Sequence, residues 1–365
     1  MIRVLHIVTY MGRGGLETMI MNYYRHIDRS QIQFDFLVHR DFRADYDDEI
    51  EALGGIIYRL PRLVPWSITY NKSLDAFFAS HPEYKIVHVH QDCLSGVILK
   101  AAQKQGVPVR IAHSHSSSQD KNLKYLLKLF YMRQIPRYAT QLFACGKEAG
   151  DWMFRGASYR VMNNAVDTKK YIYSPEMRDR MRCQLGISKD AFVVGHVGRF
   201  DPVKNHTFLI DVFACLKKKR ENAILLLVGD GVMRVEMEKK VAALGIADHV
   251  VFTGVRDDVH HLMQAMDIFV FPSIYEGLGI VAIEAQAAGL PCCVADTLPD
   301  EVAITELVQF RSLEDGADQW AEWVLGRTKE SRRDTLEDIQ KAGYDISSTS
   351  VWLENFYRNV MENHG

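Results

Sequence analysis

Two glutamates flank an apolar stretch near the end of the chain, in PSIYEGLGIVAIEAQAAGLP (residues 272–291). Gly277 and Gly279 disfavour a helix through Glu276, so we place Glu276 in the loop that follows a buried strand. The next helix would begin near Gly279, with Glu284 about a turn and a half inside it. Carboxylates accept hydrogen bonds from neighbouring hydroxyls, which suits a site that holds sugars. Alternatively, Glu276 only caps the helix and Glu284 lies on the surface, although its apolar neighbours make a solvated role less favourable.

Two cations follow another buried strand, in GRFDPVKNH. Arg199 and Lys204 are five positions apart, in a loop that contains Pro202. A guanidinium and an ammonium group at the carboxyl end of a strand can neutralise adjacent phosphates, as in a diphosphate. A solvated loop with incidental charges is the alternative interpretation.

A glycine-rich loop follows the first strand, in TYMGRGGLETMIMNYY. Gly12, Gly14 and Gly15 would let backbone N–H groups approach a phosphate at the positive end of a helix. The loop is not a dinucleotide fingerprint, because Glu17 replaces the third glycine, and it lacks the Lys–Ser/Thr pair of a P-loop. A tight turn without a ligand explains the same residues.

Histidines lie at the ends of two strands, in VHVHQD and RIAHSHSSS. His113 and His115 share one face of their strand if the strand continues that far. His88, His90 and Asp92 occupy a similar position, and we interpret them as lining of a site. We expect no metal site, because no second cluster has ligand spacing.

Length and composition are those of an ordinary globular protein. A chain of 365 residues exceeds the size at which one hydrophobic core usually stops growing, so two domains are expected. The 44 basic and 46 acidic residues argue against a general nucleic-acid binder. Six cysteines without a C-x-x-C pair predict reduced core thiols. With no signal-peptide pattern and no apolar run near the ~20 residues that span a bilayer, we expect a cytoplasmic protein.

Strand-like runs alternate with amphipathic helical stretches, a pattern that predicts parallel sheets covered on both faces. The predicted strands of the first half are 2–8, 34–39, 55–60, 85–90, 108–113 and 141–145. Those of the second half lie in AFVVGHVGRF, AILLLVGDG, HVVFTGV, DIFVFPS and LPCCVAD, with helices near 205–219, 233–244, 259–265 and 279–288. The sequence therefore predicts two doubly wound α/β domains.

The predicted domains are residues 1–166 and 167–345, with a terminal helix over 346–365 that crosses back to the first domain. The crossing between domains falls in RVMNNAVDTKKYIYSPEMRD, which carries Asn-Asn and a proline. The terminal helix has Val351, Trp352, Phe356 and Val360 on roughly one face.

The segment KNLKYLLKLFYMRQIPR, residues 121–137, is basic and contains no acidic residue. Its cations are Lys121, Lys124, Lys128, Arg133 and Arg137. A basic amphipathic helix can lie on an anionic membrane surface, which predicts peripheral contact at the inner face of the membrane. An ordinary surface helix with a basic polar face is the alternative.

Together these motifs resemble glycosyltransferase family 4, retaining enzymes of the GT-B fold that build bacterial exopolysaccharide, capsule and lipid-linked glycans. EGLGIVAIE is similar to the E-x7-E element of the family, GRGGLET to its glycine loop and GRFDPVKNH to its G-R-x-x-x-x-K element. LLVGDG and FTGVRDDV are similar to its nucleotide-pocket strands. The resemblance implies two Rossmann-like domains facing each other across a cleft, the first binding the acceptor and the second the nucleotide-sugar.

The resemblance also implies roles for the matching residues. Arg199 and Lys204 would hold the donor diphosphate and stabilise the leaving group. Glu284 would bind the ribose hydroxyls, and Glu276 would contact hydroxyls of the transferred sugar. Because the family places a histidine near the transferred sugar and acceptor, His115 is a candidate catalytic residue.

His113 is the second histidine candidate, and we prefer His115 because it lies further into the loop. The other implied donor-binding positions are Gly14, Gly15, Val255, Arg256, Gly277, Leu278 and Gly279. Where relatives usually have Asn-Gly at the domain crossing, this chain has Asn164 and Ala165, so that backbone contact is not carried over.

The function that the resemblance implies is transfer of a sugar from a UDP-sugar to a glycan or polyprenyl-linked acceptor, with retention. No cofactor or metal is expected, because cations and a helix N-terminus can stabilise the departing diphosphate. There is no D-x-D element in a suitable position, and Asp47–Asp48 and Asp257–Asp258 are predicted on surface turns. The alternatives are a GT-B epimerase or phosphorylase, and a non-catalytic nucleotide-sugar-binding subunit that supports a partner transferase.

Overall fold

The structure is a computed structural model that describes residues 1–115, 125–327 and 332–363. The chain divides into two compact units. The first unit comprises Met1–Ala165 and Ile346–Gly365, and the second unit comprises Val166–Asp345. The division after Ala165 lies one residue before the predicted boundary.

The first unit is built on a parallel sheet of seven strands in the order β3-β2-β1-β4-β5-β6-β7. The strands are β1 Ile2–Ile7, β2 Ile32–Val38, β3 Ile57–Arg59, β4 Ile86–Val89, β5 Val109–Ser114, β6 Gln141–Ala144 and β7 Arg160–Val161. Its helices are α1 Gly15–His26, α2 Asp47–Ala52, α3 Ile68–Ser80, α4 Ser95–Lys104, α5 Tyr125–Met132, α6 Ile135–Tyr138, α7 Lys147–Phe154 and α16 Ile346–Glu362. Because β1 pairs with both β2 and β4, the strand order reverses direction between β1 and β4.

Apolar residues cover both faces of this sheet. Phe34, Phe143 and Tyr357 belong to the cluster on one face, to which α1 and α16 contribute. Leu37 and Leu99 belong to the cluster on the other face, to which α3 and α4 contribute. Burial of large side chains on both faces explains why these strands read as continuous apolar runs.

The second unit is built on a parallel sheet of six strands in the order β10-β9-β8-β11-β12-β13. The strands are β8 Phe192–Val197, β9 Ala223–Val228, β10 Val250–Phe252, β11 Ile268–Phe271, β12 Cys292–Ala295 and β13 Val308–Arg311. Its helices are α8 Thr168–Tyr171, α9 Pro175–Gln184, α10 His206–Lys219, α11 Arg234–Ala243, α12 Val259–Ala265, α13 Ile280–Ala287, α14 Gly316–Gly326 and α15 Leu336–Lys341. Here the order reverses between β8 and β11, which pair with each other.

The predicted fold class, two Rossmann-like units, is confirmed. The eleven predicted strands and the four predicted helices of the second half are present. Two strands were missed: β7 has only two residues, both exposed, and β13 buries Val308 alone. These edge strands lack the apolar run on which the strand predictions depended.

Three finer expectations were wrong. The terminal helix buries Leu353, Phe356 and Tyr357, whereas Val351, expected on the buried face, is 53% exposed. Asp47 does not lie on a surface turn: it begins α2, is buried, and bonds to the Arg59 guanidinium. Its charge is therefore compensated inside the fold.

The third wrong expectation concerns the basic segment 121–137, which does not form one helix. Lys121 and Lys124 lie outside the described residues, and the remainder forms α5 and α6, separated after Met132. Pro136 provides the physical reason, because a proline lacks the N–H of a helix interior and its ring clashes with the carbonyl four residues earlier, that of Met132. Among the described residues, none of the helices combines the length and apolar character needed to cross a membrane.

Candidate functional site

The loops after β8 and β11 meet at the reversal point of the second sheet. A backbone hydrogen bond of 2.8 Å runs from the Ile274 N–H to the Val203 carbonyl and joins the two loops. Beside it, Lys204 Nζ lies 2.5 Å from Glu276 Oε1, and both side chains are mostly buried. Ligands of open α/β sheets collect at such a reversal point. The structure thus brings together two of the predicted site residues that are 72 positions apart.

Asp201 fixes the backbone that carries Lys204. Its carboxylate accepts hydrogen bonds from the N–H groups of Val203, at 3.1 Å, and of Lys204, at 3.2 Å. These bonds shape a short 3₁₀ turn over Pro202–Lys204, after which α10 begins. The Lys204 ammonium also lies 5.0 Å from the centroid of the Phe271 ring, a cation–π contact that helps to hold the side chain in this position.

The loop after β9 packs directly on the backbone of the Arg199 loop. The Phe200 N–H donates to the Asp230 carbonyl at 2.9 Å, and the Met233 N–H donates to the Phe200 carbonyl at 3.1 Å. A Cβ on Gly231 would lie 2.5 Å from that carbonyl oxygen, so a side chain there would force the loops apart. The glycines of VGDG therefore permit a close approach of two site loops.

Gly279 and α13 position the second glutamate. Gly279 has φ +77°, a left-handed conformation that favours glycine, and α13 begins at the next residue, as predicted. Glu284 lies in this helix and its carboxyl hydrogen-bonds the buried Tyr171 side chain. Burial raises the pKa of Glu284 to about 7, while the hydrogen bond from Tyr171 opposes that rise. The pKa of Tyr171 is raised well above its ordinary value by burial and by the Glu284 charge.

The other predicted positions of the second unit are more exposed. The Arg199 side chain is 79% exposed and bonds Asp201 at 3.0 Å, so the free protein does not direct it to the Lys204–Glu276 pair. Val255 is exposed, and Arg256 makes two hydrogen bonds to Asp258, at 2.7 and 2.6 Å.

In the loop between Glu276 and α13, Leu278 is buried and belongs to the core cluster of the second unit, while Gly277 is partly exposed. Leu278 therefore anchors this loop through its side chain. Only the backbone of the loop remains for contact with a ligand.

In the first unit, Gly14 immediately precedes α1, which begins at Gly15. The Glu17 carboxylate lies over Gly14, and a Cβ on Gly14 would be 2.3 Å from one of its oxygens. Burial raises the pKa of Glu17, so its charged form is disfavoured there. Binding of a donor phosphate by Gly14 and Gly15 stays a prediction, and such a phosphate would have to accommodate this carboxyl group.

The candidate histidines belong to a stacked group, the histidine ladder, at the reversal point of the first sheet. Its members are His6, His88, His90, His113 and His115. Two chains of hydrogen bonds run through it. In one, His6 Nδ1 lies 3.1 Å from His90 Nε2, and His90 Nδ1 lies 2.9 Å from His115 Nε2. In the other, Tyr357 Oη lies 2.8 Å from His88 Nδ1, and His88 Nε2 lies 3.1 Å from His113 Nδ1.

All five imidazoles of the ladder are held neutral. Burial lowers the pKa of His6 and of His115 to about 3. Burial together with neighbouring histidines lowers the pKa of the other three well below its ordinary value. His113 is buried within the stack, whereas His115 lies at the end of β5 and is partly exposed. His115 is therefore the least buried of the five histidines.

Sequence reasoning missed Tyr171 and His6. Tyr171 lies 113 positions before Glu284, in a segment that we interpreted only as a crossing between domains, and nothing in that segment indicates its partner. His6 lies in an otherwise apolar strand, and its polar type at a core position was the available signal. It is the register partner of His88 across β1 and β4.

Comparison with known proteins places this geometry in a class. Residues 177–333 match the family described as glycosyl transferases group 1, and residues 13–170 match glycosyltransferase family 4. The relative named "Putative glycosyltransferase EpsF" from Bacillus subtilis (strain 168) is 36% identical over 370 residues, covering 97% of this chain and 96% of that protein. The class is therefore that of the glycosyltransferases.

Within that class, the chain belongs to glycosyltransferase family 4. An Escherichia coli relative, UDP-Gal:alpha-D-GlcNAc-diphosphoundecaprenol alpha-1,3-galactosyltransferase, is 26% identical over 227 residues, covering 59% of this chain and 58% of that protein. The crystal structure of Anabaena Alr3699/HepE in complex with UDP and glucose has a TM-score of 0.81 at 19% identity, covering 98% of this chain and 100% of that one. That similarity supports the fold.

The raised pKa of Glu284 predicts a pH-dependent stability. A carboxyl with a pKa raised from 4.5 to about 7 stabilises the folded state below pH 4.5, and this contribution is lost as the pH rises through about 7. Relative to Glu284→Gln, which does not titrate, the wild type should lose roughly 2 to 3 kcal/mol of unfolding free energy between pH 4.5 and pH 8. Urea unfolding at several pH values measures this difference.

The exposed Glu322 provides the control for that measurement. Glu322→Gln should show the same pH dependence as the wild type, because the Glu322 carboxyl is 65% exposed and forms a surface ion pair with Lys219. Parallel profiles for wild type and Glu284→Gln would contradict the assignment of a buried, high-pKa carboxyl.

Proposed function

We propose that this glycosyltransferase transfers a hexose from a UDP-sugar to a glycan or lipid-linked acceptor in exopolysaccharide or capsule assembly, with retention at the anomeric carbon. The observation that carries the proposal is the Lys204–Glu276 pair at the reversal point between β8 and β11, with Glu284 in the helix that follows. The names of the Anabaena complex and of the E. coli relative both include uridine nucleotides, which supports this donor class.

Lys204 is the proposed electrostatic catalyst. In the free protein its charge is compensated by Glu276 at 2.5 Å, and a diphosphate would attract the same ammonium group. As the glycosidic bond to phosphate breaks, negative charge grows on the departing diphosphate, and a fixed cation stabilises it. Arg199, whose side chain is exposed in the free protein, would add a second cation when the donor binds.

The two glutamates would hold the sugars of the donor. Glu276, released from Lys204 by the diphosphate, would accept hydrogen bonds from hydroxyls of the transferred sugar. Glu284, oriented by Tyr171, would bind the ribose hydroxyls, and Val255 and Arg256 would lie near the nucleobase. Neither glutamate is assigned as a nucleophile: the acceptor attacks from the face that the diphosphate leaves, and a phosphate oxygen takes its proton.

His115 is the proposed contact of the first unit with the transferred sugar or the acceptor. Its Nδ1 is buried and has no hydrogen-bond partner among the described residues. Because the ring is neutral, this nitrogen can accept a hydrogen bond from a hydroxyl group or donate one to it, depending on the tautomer. In this account transfer needs no metal ion, because Lys204 and Arg199 supply the positive charge.

We also propose that the protein, acting in the cytoplasm, contacts the inner face of the membrane through α5 and α6. In the described part of this segment, Leu126 is 76% exposed and Phe130 is 60% exposed. Arg133 and Arg137 are exposed beside them. Apolar side chains flanked by cations are the features that bind anionic lipid surfaces.

Substitution of Lys204 tests the transfer mechanism. We expect Lys204→Gln to lower kcat by about 10² to 10³, the loss typical of removing one group that stabilises transition-state charge. Lys240→Gln is the matched control, because Lys240 is equally buried, is paired with Asp211 at 2.7 Å, and lies in α11 away from the two site loops. The assay measures UDP release and product formation with a panel of UDP-sugars and polyprenyl-linked acceptors, and NMR gives the anomeric configuration of the product.

Three results would contradict the proposal. Equal activity of Lys204→Gln and Lys240→Gln would remove Lys204 from the mechanism, and an inverted product would exclude retention. Tight UDP binding without transfer or donor hydrolysis would indicate the non-catalytic subunit. Release of UDP and an epimerised free sugar without an acceptor would instead indicate an epimerase.

Vesicle binding tests the membrane contact. Leu126→Glu with Phe130→Glu should abolish co-sedimentation with vesicles rich in anionic lipid, because two charges would replace the inserted apolar groups. Val232→Glu with Val235→Glu is the matched control, since these valines are 91% and 62% exposed in the second unit. Equal binding of both double variants would show that α5 is not the contact.

A further inference from the structure

Three nitrogen atoms of the histidine ladder converge at the carboxyl ends of β4 and β5. His90, His113 and His115 each offer one ring nitrogen, and these three atoms lie within 4.8 Å of one another. The closest measured approach is 2.9 Å, between His90 Nδ1 and His115 Nε2. Tetrahedral zinc with Zn–N bonds of about 2.0 to 2.1 Å separates its ligand nitrogens by roughly 3.3 Å. A metal ion here would therefore replace the His90–His115 hydrogen bond and move these two nitrogens apart.

Two nitrogens at this end of the ladder have unmet bonding capacity. His113 Nε2 and His115 Nδ1 are buried and have no hydrogen-bond partner among the described residues. A buried polar atom without a partner costs about 1 to 3 kcal/mol, so two on adjacent rings are unusual. A ligand that accepts electron pairs from imidazoles would remove that cost.

A second trio in the ladder, His6, His88 and His90, fits less well. Both nitrogens of His88 are engaged by residues outside that trio, Tyr357 and His113. His90 also has both nitrogens engaged, but one of its two partners, His115, belongs to the first trio itself. All three rings are buried, so an ion has no open approach to them. In the trio at the strand ends, His115 is partly exposed and provides that approach.

We propose that His90, His113 and His115 bind a divalent transition-metal ion of the zinc class, with three imidazole ligands and an open fourth position. Imidazole is a preferred ligand of Zn²⁺, Co²⁺, Ni²⁺ and Cu²⁺, and three protein ligands with an open position are a common zinc arrangement. The site lies in the first unit, whereas Lys204 and Glu276 lie in the second. The inference does not rest on the proposed function, and a bound ion would replace the direct hydrogen bond proposed there between His115 and a hydroxyl group.

Cobalt titration tests the site through a signal that is independent of activity. Untagged full-length protein, stripped with EDTA and dialysed, is titrated with Co²⁺, and the visible ligand-field absorption is recorded. One equivalent should give the intense bands of a four-coordinate ion, and Zn²⁺ should displace it. Loss of an outer-shell partner of a metal ligand typically costs 10- to 100-fold in affinity, so His115→Gln should weaken Co²⁺ binding by more than ~100-fold.

Two variants serve as controls. His6→Gln changes a ring outside the proposed trio that hydrogen-bonds His90, so it should weaken Co²⁺ binding by at most about 10- to 100-fold, less than His115→Gln. Cys183→Ser removes the exposed thiol and should leave Co²⁺ binding unchanged. Circular dichroism without metal checks that each variant is folded, and X-ray absorption of zinc-loaded wild type counts imidazole ligands without any substitution.

The proposal would be overturned by any of three outcomes. Wild type could show no saturable binding, which would leave the ladder as a stack of neutral, hydrogen-bonded rings. Binding that survives His115→Gln but is lost in His6→Gln would identify the enclosed trio instead. Loss of binding in Cys183→Ser, or an X-ray absorption spectrum with fewer than three imidazoles, would indicate adventitious surface binding.

Discussion

In each parallel sheet the first strand along the chain is a central one, and later strands pair on both sides of it. The positions of the polar groups depend on this strand order. In the second unit β8 pairs with β9 on one side and β11 on the other, so the loops after β8 and β11 leave in opposite directions. Lys204 and Glu276 occupy the opening between them. In the first unit the same reversal, between β1 and β4, holds the histidine ladder. The sheet order thus creates one polar site in each unit.

The two sites solve the problem of burial in different ways. Lys204 and Glu276 keep their charges and compensate each other, an arrangement that a charged ligand can exchange for its own contacts. The histidines are instead neutral, because burial disfavours their protonated form and neighbouring protonated rings would repel one another. Glu284 lies between these cases, with a pKa raised to about 7 and a hydrogen bond to Tyr171. A group near half-ionisation can both donate and accept hydrogen bonds with hydroxyls.

Local sequence patterns predicted most of the strands correctly. They did not predict contacts between residues that are far apart in the sequence. Apolar runs located eleven of the thirteen strands, and Gly277 and Gly279 correctly placed Glu276 in a loop before α13. The Lys204–Glu276 contact joins residues 72 positions apart, so no local pattern indicates it.

Tertiary packing also explains why some predictions were wrong. Leu353 lies towards the core and Val351 towards solvent, although both are apolar, because the orientation of a helix depends on its neighbours. Asp47 can be buried because the guanidinium of Arg59, twelve positions later, donates a hydrogen bond to its carboxylate. His6 joined the ladder through register pairing with His88, which only the sheet order determines.

The central claim is that the loops at the reversal point of the second sheet bind a uridine diphosphate group, and nucleotide-dependent thermal stabilisation tests it most directly. Wild type, Glu284→Ala, Arg199→Ala and the exposed control Glu322→Ala would be melted with UDP, ADP or GDP. We expect UDP to raise the melting temperature of wild type and Glu322→Ala, and we expect the shift to be lost in Glu284→Ala and Arg199→Ala. No shift with any nucleotide, or an equal shift in all four proteins, would contradict it.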